Sequence, residues 1–328
     1  MAELTMVQAI NRALHEEMKR DERVLVYGED VGVNGGIFRV TEGLIEAFGP
    51  RRVFDSPLSE SGIVGTAVGL AIYGLRPVIE FQFMGFSYFG FYQIENHVGR
   101  YYKRSQGRYP MPIVIRMPYG AGVRALEHHS ESRETYYIHT PGIKVLVPSG
   151  PRQAHDLLIT AIRDPDPVVF LEPKALYRTI KEEVPEGAAE PAFPIGGSRR
   201  AREGGDLTLV AWGAMLPRAM DAAQRLADED GVSAEVLDLY SLSPMDTEAV
   251  IASVKKTRRA VIVHEAMRTL GPGAEIVARL NEACLLHLEA PVVRITGWDI
   301  QVPLFSREQE YLPSVERILQ GAREVLRF

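Results

Sequence analysis

The sequence predicts an α/β protein with two open, mostly parallel sheets that carry helices on both faces. Short runs of β-branched and apolar residues alternate with helical patterns along most of the 328 residues. Hydrophobic residues make up 46% of the chain and charged residues 24%, which suits a globular protein with a sizeable core. A segment rich in Glu, Pro, Gly and Ala divides the alternation into two parts.

The first part begins with a predicted helix. Thr5 suits an N-cap, and apolar residues follow at helical spacing from Met6 to about Arg20. Apolar runs then predict strands at residues 24–27, 53–54, 77–81, 112–116, 143–147 and 167–171. Helical patterns alternate with several of them, at residues 61–73, 92–103 and 151–163. This βαβ order favours a mostly parallel sheet that is covered on both faces.

The second part repeats the alternation after a predicted linker. The composition of residues 181–203 indicates a segment that crosses the surface. Strand-like runs return at residues 207–211, 234–239, 260–264 and 291–295, with helical patterns at residues 217–229, 246–256 and 274–286. We therefore assign a first α/β domain to residues 1–185, a linker to residues 186–205, and a smaller α/β domain to residues 206–328.

Composition argues against several classes of protein. The formal net charge is −6, and no basic stripe indicates a nucleic-acid partner. The single cysteine, Cys284, cannot form an internal disulfide and fits a reducing cytosol. The N-terminus lacks the basic and apolar regions of a secretory signal, and no apolar run approaches the length of a membrane span. We expect a cytoplasmic protein without membrane partners.

The most informative side chain in the sequence is Glu60. A strand-like run at residues 52–55 leads through the turn at residues 56–58 to this carboxylate, which opens a helix of small and apolar residues. Because α/β sheets place their ligands at the carboxyl ends of strands, Glu60 is a candidate catalytic residue. Partial burial would raise its pKa toward the range of proton transfer. The alternative is helix capping, since acids favour the first turn.

Two further segments of the first part could contact a ligand. One predicted strand ends in Glu29 and Asp30, which could bind a ligand amine or only supply turn chemistry. Residues 81–92 are dense in aromatic side chains around Gln82, and a flat heteroaromatic ligand could stack there. Core packing and a subunit interface are the alternatives for these rings.

A loop at residues 120–132 carries the pair His128 and His129. His129 could donate or accept a proton near neutral pH. A zinc site that also uses Glu127 and Glu131 is a less favoured alternative, because the loop lacks the His-Glu-x-x-His motif. The chain also lacks the Gly-x-Ser-x-Gly motif of serine hydrolases and the Gly-x-Gly-x-x-Gly fingerprint of dinucleotide-binding folds.

Taken in order, these segments resemble the β subunit of the E1 component of 2-oxo acid dehydrogenase complexes. The matching runs lie at residues 27–32, 38–44, 57–63, 129–130, 161–164, 171–174 and 235–239. The resemblance covers essentially the whole chain, and it is strongest to the pyruvate members, followed by the branched-chain members. It implies a transketolase-like pyrimidine domain followed by a transketolase C-terminal domain, which makes the subunit and E2 contacts.

The resemblance also implies a cofactor, thiamine diphosphate, and residues that bind it. Glu60 matches the glutamate that hydrogen-bonds N1′ of the aminopyrimidine and promotes the imino tautomer, which removes the thiazolium C2 proton. Leu58, Gln82 and Phe86 match positions that line the pyrimidine pocket. Glu29 matches an acid near the cofactor ring.

Two positions of the loop and the pocket bear on acyl transfer and substrate choice. His129 matches the histidine that assists transfer of the acyl group to a lipoyl arm. Glu131 stands where relatives often carry glutamine, and an extra acid there could raise the pKa of His129. Phe86 replaces a tyrosine that is common in branched-chain members.

Some relatives also bind a structural potassium ion. The matching positions in this chain are Ile113, Ala161, Ile162, Asp164 and Asp166. In those relatives, backbone carbonyls supply most of the ligands.

The sequence lacks the motif that holds Mg²⁺ and diphosphate in thiamine enzymes. That motif is Gly-Asp-Gly followed further along by an asparagine, and its residue types reflect the preference of Mg²⁺ for oxygen ligands. The nearest run is Gly205-Asp206-Leu207, and none of the four asparagines is suitably placed. The resemblance therefore implies that an α subunit holds Mg²⁺ and the diphosphate in an α2β2 heterotetramer.

We expect a catalytic subunit that works with this α subunit. The expected reaction is decarboxylation of pyruvate or a branched-chain 2-oxo acid, followed by reductive transfer of the acyl group to a lipoyl-bearing E2 acyltransferase. Alternatives are an acetoin dehydrogenase β subunit and a non-catalytic scaffold that docks E2. Glu60, Gln82 and His129 argue against the scaffold, since docking needs none of them. The missing Mg²⁺ motif argues against a stand-alone transketolase.

Overall fold

The computed structural model describes residues 2–187 and 191–328, and it confirms the predicted α/β class. Residues 188–190, which belong to the predicted linker, and Met1 lie outside the described residues. The chain divides into two compact units, Met1–Tyr119 with Tyr136–Ile195 and Gly120–Thr135 with Gly196–Phe328. The loop that carries His129 is thus part of the second unit, although it interrupts the first unit in sequence.

The strands of the described residues follow in chain order. In the first unit they are β1 (Ala2–Thr5), β2 (Val24–Gly28), β3 (Val53–Asp55), β4 (Arg76–Glu80), β5 (Val114–Tyr119), β6 (Lys144–Leu146), β7 (Val168–Pro173) and β8 (Lys181–Val184). In the second unit they are β9 (Arg199–Arg202), β10 (Leu207–Ala211), β11 (Ala234–Asp238), β12 (Ser241–Ser243), β13 (Ala260–Met267) and β14 (Val293–Gly297).

The α-helices of the described residues vary from one turn to four. They are α1 (Met6–Arg20), α2 (Leu44–Phe48), α3 (Glu60–Ile72), α4 (Tyr88–Gln93), α5 (Tyr101–Arg104), α6 (Glu134–Ile138), α7 (Pro151–Arg163), α8 (Met215–Asp230), α9 (Thr247–Thr257), α10 (Pro272–Cys284), α11 (Glu308–Tyr311) and α12 (Val315–Leu326). No helix in the described part of the chain combines the length and the apolar character that a membrane span requires.

A parallel sheet forms the centre of the first unit. Six of its strands lie in the order β6-β7-β5-β4-β2-β3, and every neighbouring pair is parallel. Strands β2 and β5, neither of which is at an edge, are buried along their whole length, as expected for a sheet covered on both faces. Strands β1 and β8 form a separate antiparallel pair.

The second unit has its own sheet, in the order β14-β13-β10-β11-β9. Its neighbours are parallel except for β9, which pairs antiparallel with β11 at the edge. The run expected to be a surface linker therefore contains two short strands, β8 and β9. Both consist mainly of charged residues, so their sequences carry no apolar strand pattern.

Helix ends were predicted well where caps are strong and poorly where aromatic residues cluster. Thr5 caps α1 in a capping box with Gln8. The single helix expected over residues 92–103 is wrong, because α4 ends at Gln93, a π-helical turn follows, and α5 begins only at Tyr101. Aromatic and β-branched side chains crowd this segment and lower its helix propensity.

Candidate active site

The candidate site lies at the carboxyl edge of the first unit's parallel sheet. Strand β2 lies between β4 and β3, and its last residue, Gly28, pairs with the last residue of each neighbour. The segments that follow these strand ends therefore leave the sheet side by side. They carry Glu29, Glu60 and Gln82. Three candidates that are far apart in sequence thus share the edge where α/β folds bind ligands.

Close packing at the end of β2 fixes this edge. A Cβ atom at Gly28 would lie 2.3 Å from the carbonyl oxygen of Glu80, so no larger residue fits without displacing β4. The hydroxyl of the preceding residue, Tyr27, donates to the carbonyl oxygen of Ile63 at 2.8 Å. The Tyr27 ring stacks on Phe54 with the ring centroids 4.8 Å apart. These contacts join the first turn of α3 to the sheet.

Glu60 is the first residue of α3, and its exposed fraction is 8%. The residue before it, Ser59, is the N-cap, because its hydroxyl accepts a hydrogen bond from the N–H of Gly62 at 3.3 Å. The side-chain cap of α3 is therefore Ser59 rather than Glu60. Helix α4 packs close by, since a Cβ atom at Gly90 would lie 3.2 Å from the carbonyl oxygen of Glu60.

Glu29 is a second buried acid at the same edge. Its exposed fraction is 7%, and its Oε1 atom has no hydrogen-bond partner among the described residues. Burial raises the pKa of Glu29, and the charge of Glu60 raises it further, whereas a hydrogen bond from the Ser59 backbone lowers it. Glu29 therefore holds a proton more readily than an ordinary glutamate does, which lets two acids lie together.

Gln82 is held by the acid that follows Glu29. Its Nε2 atom donates to Oδ2 of Asp30 at 2.7 Å. The other carboxylate oxygen of Asp30 accepts from Nδ2 of Asn34 at 2.9 Å. Asp30 adopts a φ of 58°, a left-handed conformation that Asp tolerates better than most residues. The turn after β2 therefore orients Gln82 across the end of β4.

The two apolar candidates occupy different surroundings. Phe86 ends a 3₁₀ turn before α4, and its ring meets that of Phe83 edge-on, with centroids 5.6 Å apart. Leu58 lies in the turn before α3, where its exposed fraction is 82%. The first unit thus supplies a half-buried ring after β4 and an exposed aliphatic side chain after β3.

His129 lies in the second unit, at the end of a 3₁₀ turn in the loop Gly120–Thr135. Its backbone N–H donates to the carbonyl oxygen of Leu126 at 3.0 Å. Glu131 lies two residues further on and accepts a hydrogen bond from Nε of Arg133 at 2.7 Å. The additional acid is therefore compensated locally by an arginine. No group of three or more His, Cys, Asp or Glu side chains within residues 2–187 and 191–328 could hold a metal ion.

Two buried acids anchor this loop. Oε2 of Glu265 accepts from the N–H of Ala121 at 2.9 Å. Both carboxylate oxygens of Glu308 accept from the N–H of Arg124, at 3.1 and 3.0 Å. The sequence reasoning missed both acids, because they lie more than 100 residues from the loop in sequence.

Glu134 is a buried acid with unusual electrostatics at the end of the loop. Its exposed fraction is 0%, Oε1 accepts from Nε1 of Trp212 at 3.2 Å, and Oε2 has no partner among the described residues. Burial raises the pKa of Glu134 to about 7, and the charge of Glu265 adds to the effect. The sequence reasoning missed it, although an acid just before the aromatic pair Tyr136 and Tyr137 was a usable signal.

A buried ionic network lies within the same sheet as the candidate site. The guanidinium of Arg116 donates to Glu80 at 2.7 Å and to Glu172 at 2.7 and 3.1 Å. The Tyr177 hydroxyl also donates to Glu172, at 2.6 Å. All four side chains have exposed fractions of 3% or less. Sequence reasoning missed this network too, because its three charged members lie on different strands, β4, β5 and β7.

The positions matched to a potassium site lie around the end of α7. Ala161 and Ile162 belong to α7, Asp164 is its C-cap, and Asp166 follows. Ile113 precedes β5, and its carbonyl oxygen accepts from the N–H of Val168 at 2.9 Å. Four of the five positions thus lie along the end of α7, and Ile113 is hydrogen-bonded to the segment that follows them.

An open cavity of about 440 Å³ in the first unit has a different lining. It is bordered by Thr5, Val7, Gln8, Asn11, Arg39, Glu42 and Arg178. None of the predicted site residues borders it.

Comparison with protein families gives two matches that together span most of the chain. Residues 2–179 match the pyrimidine-binding domain of transketolase. Residues 196–318 match the C-terminal domain of transketolase.

Comparison with individual proteins gives full-length relatives. The chain is 49% identical to the pyruvate dehydrogenase E1 component subunit beta of Bacillus subtilis over 328 residues, which is all of both chains. It is 47% identical to the protein of the same name from Acholeplasma laidlawii over 325 residues, which is 99% of this chain and 98% of the relative. Among solved structures, a split gene transketolase in an inactive beta4 tetramer has a TM-score of 0.78 at 21% identity over 99% of each chain, which shows the fold alone.

Proposed function

The chain belongs to the family of pyruvate dehydrogenase E1 β subunits, as its sequence pattern predicted, and on that premise we propose that it is the pyrimidine-binding half of a thiamine diphosphate-dependent 2-oxo acid dehydrogenase. An α subunit completes the active site in an α2β2 heterotetramer and holds Mg²⁺. The substrate is pyruvate, in keeping with the names of the relatives, and the acyl group passes to a lipoyl-bearing E2.

One observation carries the proposal, namely the arrangement at the sheet edge. Glu60, Glu29 and Gln82 follow three adjacent strands of a parallel sheet, and both acids are at least nine-tenths buried. Helix capping does not explain the burial of Glu60, since the Ser59 side chain already caps α3. Buried carboxyl groups without cationic partners are costly, so they are expected where chemistry uses them.

These residues fit an aminopyrimidine. A carboxyl group can share a proton with a ring nitrogen, the unpartnered Oε1 of Glu29 can accept a hydrogen bond, and the Phe86 ring can border a flat heterocycle. Thiamine diphosphate supplies the nucleophilic carbon and the electron sink that decarboxylation of a 2-oxo acid requires. The protein's task at this edge is to bind the ring and control its protons.

Each residue has a separate part in that task. Glu60 would hydrogen-bond N1′ of the pyrimidine when the cofactor is bound. Glu29, whose pKa is raised by burial and by the charge of Glu60, would offer its unpartnered Oε1 atom to the ring. Gln82 is oriented by Asp30 to hydrogen-bond the ring. Leu58 adds apolar surface from the turn before α3.

The second unit contributes the acyl-transfer step. His129 would position the lipoyl disulfide or protonate the sulfur that leaves as a thiolate when the S–S bond breaks and the other sulfur accepts the acyl group. The loop that carries His129 is anchored by Glu265 and Glu308. We propose that the C-terminal domain, residues 206–328, makes the subunit and E2 contacts, that residues 1–185 bind the pyrimidine, and that residues 186–205 link the two.

The test is Glu60→Gln in a complex reconstituted with the α subunit. We expect the loss of a positioned acid–base group to lower kcat by about 10²–10⁴-fold while the chain still folds. The matched control is Glu248→Gln, which removes another first-turn acid but lies exposed on α9. Near-normal turnover by Glu60→Gln would contradict the proposal.

The same preparation tests the substrate. We expect kcat/KM to be highest for pyruvate when it is compared with 3-methyl-2-oxobutanoate and 4-methyl-2-oxopentanoate. A preference for either branched acid would assign the chain to the branched-chain group instead.

A further inference from the structure

Arg76 lies at the end of α7, at the positions that the resemblance matches to the potassium site of some relatives. It is the first residue of β4 and is half-buried. Its Nε atom donates to the carbonyl oxygen of Ile162 at 2.8 Å, and its Nη2 atom donates to that of Asp164 at 2.7 Å. The planar guanidinium thus binds two of the matched positions at once, through parallel donors that an ammonium lacks.

A cation at the end of α7 stabilises the carbonyl groups that the helix leaves without partners. The last carbonyl groups of a helix have no partner within the helix, and the negative end of the helix dipole points at them. Ile162 lies in the last turn of α7 and Asp164 is its C-cap. Either a metal ion or a guanidinium can therefore stabilise this helix end.

The carboxylates of the matched set are also engaged. Both oxygens of Asp164 accept from Nζ of Lys144, at 2.7 and 2.9 Å. The same ammonium lies 3.1 Å from Oδ2 of Asp166. Asp164 additionally accepts from the N–H of Asp166 at 2.8 Å. A second protein cation therefore neutralises the acids next to the helix end.

The remaining two positions, Ile113 and Ala161, have backbone carbonyl oxygens that already accept hydrogen bonds from backbone N–H groups. The carbonyl oxygen of Ile113 accepts from the N–H of Val168 at 2.9 Å, and that of Ala161 accepts from the N–H of Asp164 at 3.3 Å. A potassium ion needs several oxygens that converge on it. At these oxygens it would also lie beside a guanidinium and an ammonium, and like charges at such short range repel. The residues present do not fit a potassium site.

We propose that Arg76 takes the structural role of the monovalent cation, so that the end of α7 in this chain is stabilised without potassium. The guanidinium joins the carboxyl end of α7 to the start of β4, the strand whose other end leads into Gln82. The backbone N–H of Arg76 also donates to the carbonyl oxygen of Arg23, the residue before β2, at 2.9 Å. Arg76 thus stabilises the sheet at the end of β4 that lies opposite to the candidate site.

The experiment compares thermal unfolding of the full chain in KCl, NaCl and tetramethylammonium chloride at equal ionic strength. For the unaltered chain we expect the same Tm in all three salts. For Arg76→Ala we expect Tm to fall by several degrees, because the helix end loses its cation and two carbonyls lose their donors. Arg51→Ala, which removes an exposed arginine, is the matched control and should leave Tm nearly unchanged.

Two results would overturn the proposal. One is a saturable rise in the Tm of the unaltered chain that is specific to K⁺. The other is an Arg76→Ala chain whose Tm equals that of Arg51→Ala. If Arg76→Ala does not fold, Arg76→Lys decides, since it keeps the charge but loses the paired donors and should still lower Tm.

Discussion

At the residue scale, four buried acids form two groups that differ in their partners. Glu80 and Glu172 share the guanidinium of Arg116, so their charges are balanced inside the sheet. Glu29 and Glu134 each have one carboxylate oxygen without a partner among the described residues. Because an unbalanced buried acid costs free energy, the second group marks the places where chemistry or titration is expected.

Glu134 yields a prediction about pH. Its pKa is raised to about 7 in the folded chain from an ordinary 4.5, so the folded state retains a proton that the unfolded state has lost within this window. Stability therefore falls as pH rises from about 4.5 through 7. In Glu134→Gln this loss should be absent. The effect of the substitution on the free energy of unfolding should therefore be about 3 kcal/mol more favourable at pH 8 than at pH 4.5.

Urea unfolding at the two pH values measures this effect. Glu282→Gln, an exposed acid on α10, is the matched control and should show no such change. An equal pH dependence in Glu134→Gln and the unaltered chain would mean that Glu134 does not titrate in this window.

At the element scale, turns and anchoring contacts place the site residues. The sequence predicted a strand end followed by a helix at Glu60, because the apolar run, the turn and the small-residue helix are all local patterns. It could not predict that Ser59 caps α3 or that Asp30 holds Gln82, since these depend on backbone angles and on strand neighbours. The edge strand β9 was not predicted either, because a polar edge strand lacks the apolar pattern by which strands are identified.

The anchoring of the His129 loop gives a prediction at this scale. Glu308→Gln weakens a charge-assisted contact to the N–H of Arg124, and such contacts contribute about 1.5–3 kcal/mol. We expect a looser loop, with slower acyl transfer to a lipoyl domain but normal decarboxylation measured with an artificial electron acceptor. The control is Glu310→Gln, an exposed acid on the same helix.

The two rates separate the roles of the loop. A parallel fall in decarboxylation and acyl transfer would show that Glu308 supports general stability rather than the transfer step. Equal rates in Glu308→Gln and Glu310→Gln would show that the contact does not position the loop.

At the scale of the whole molecule, the chain matches a pyrimidine-binding domain, and its sequence lacks the diphosphate motif of thiamine enzymes. The fold class and the family were predictable from the order of motifs over the whole chain, and both are confirmed. The assignment of the loop Gly120–Thr135 to the second unit was not predictable, because it depends on long-range contacts of buried acids. We propose that this chain is half of an active site.

The most direct measurement of that claim is thiamine diphosphate-dependent release of CO₂ from pyruvate, by the purified chain alone and after addition of the α subunit in increasing amounts. We predict no turnover by the chain alone, and turnover that rises with the α subunit until the two chains are equimolar. Comparable turnover by the chain without the α subunit would contradict the account.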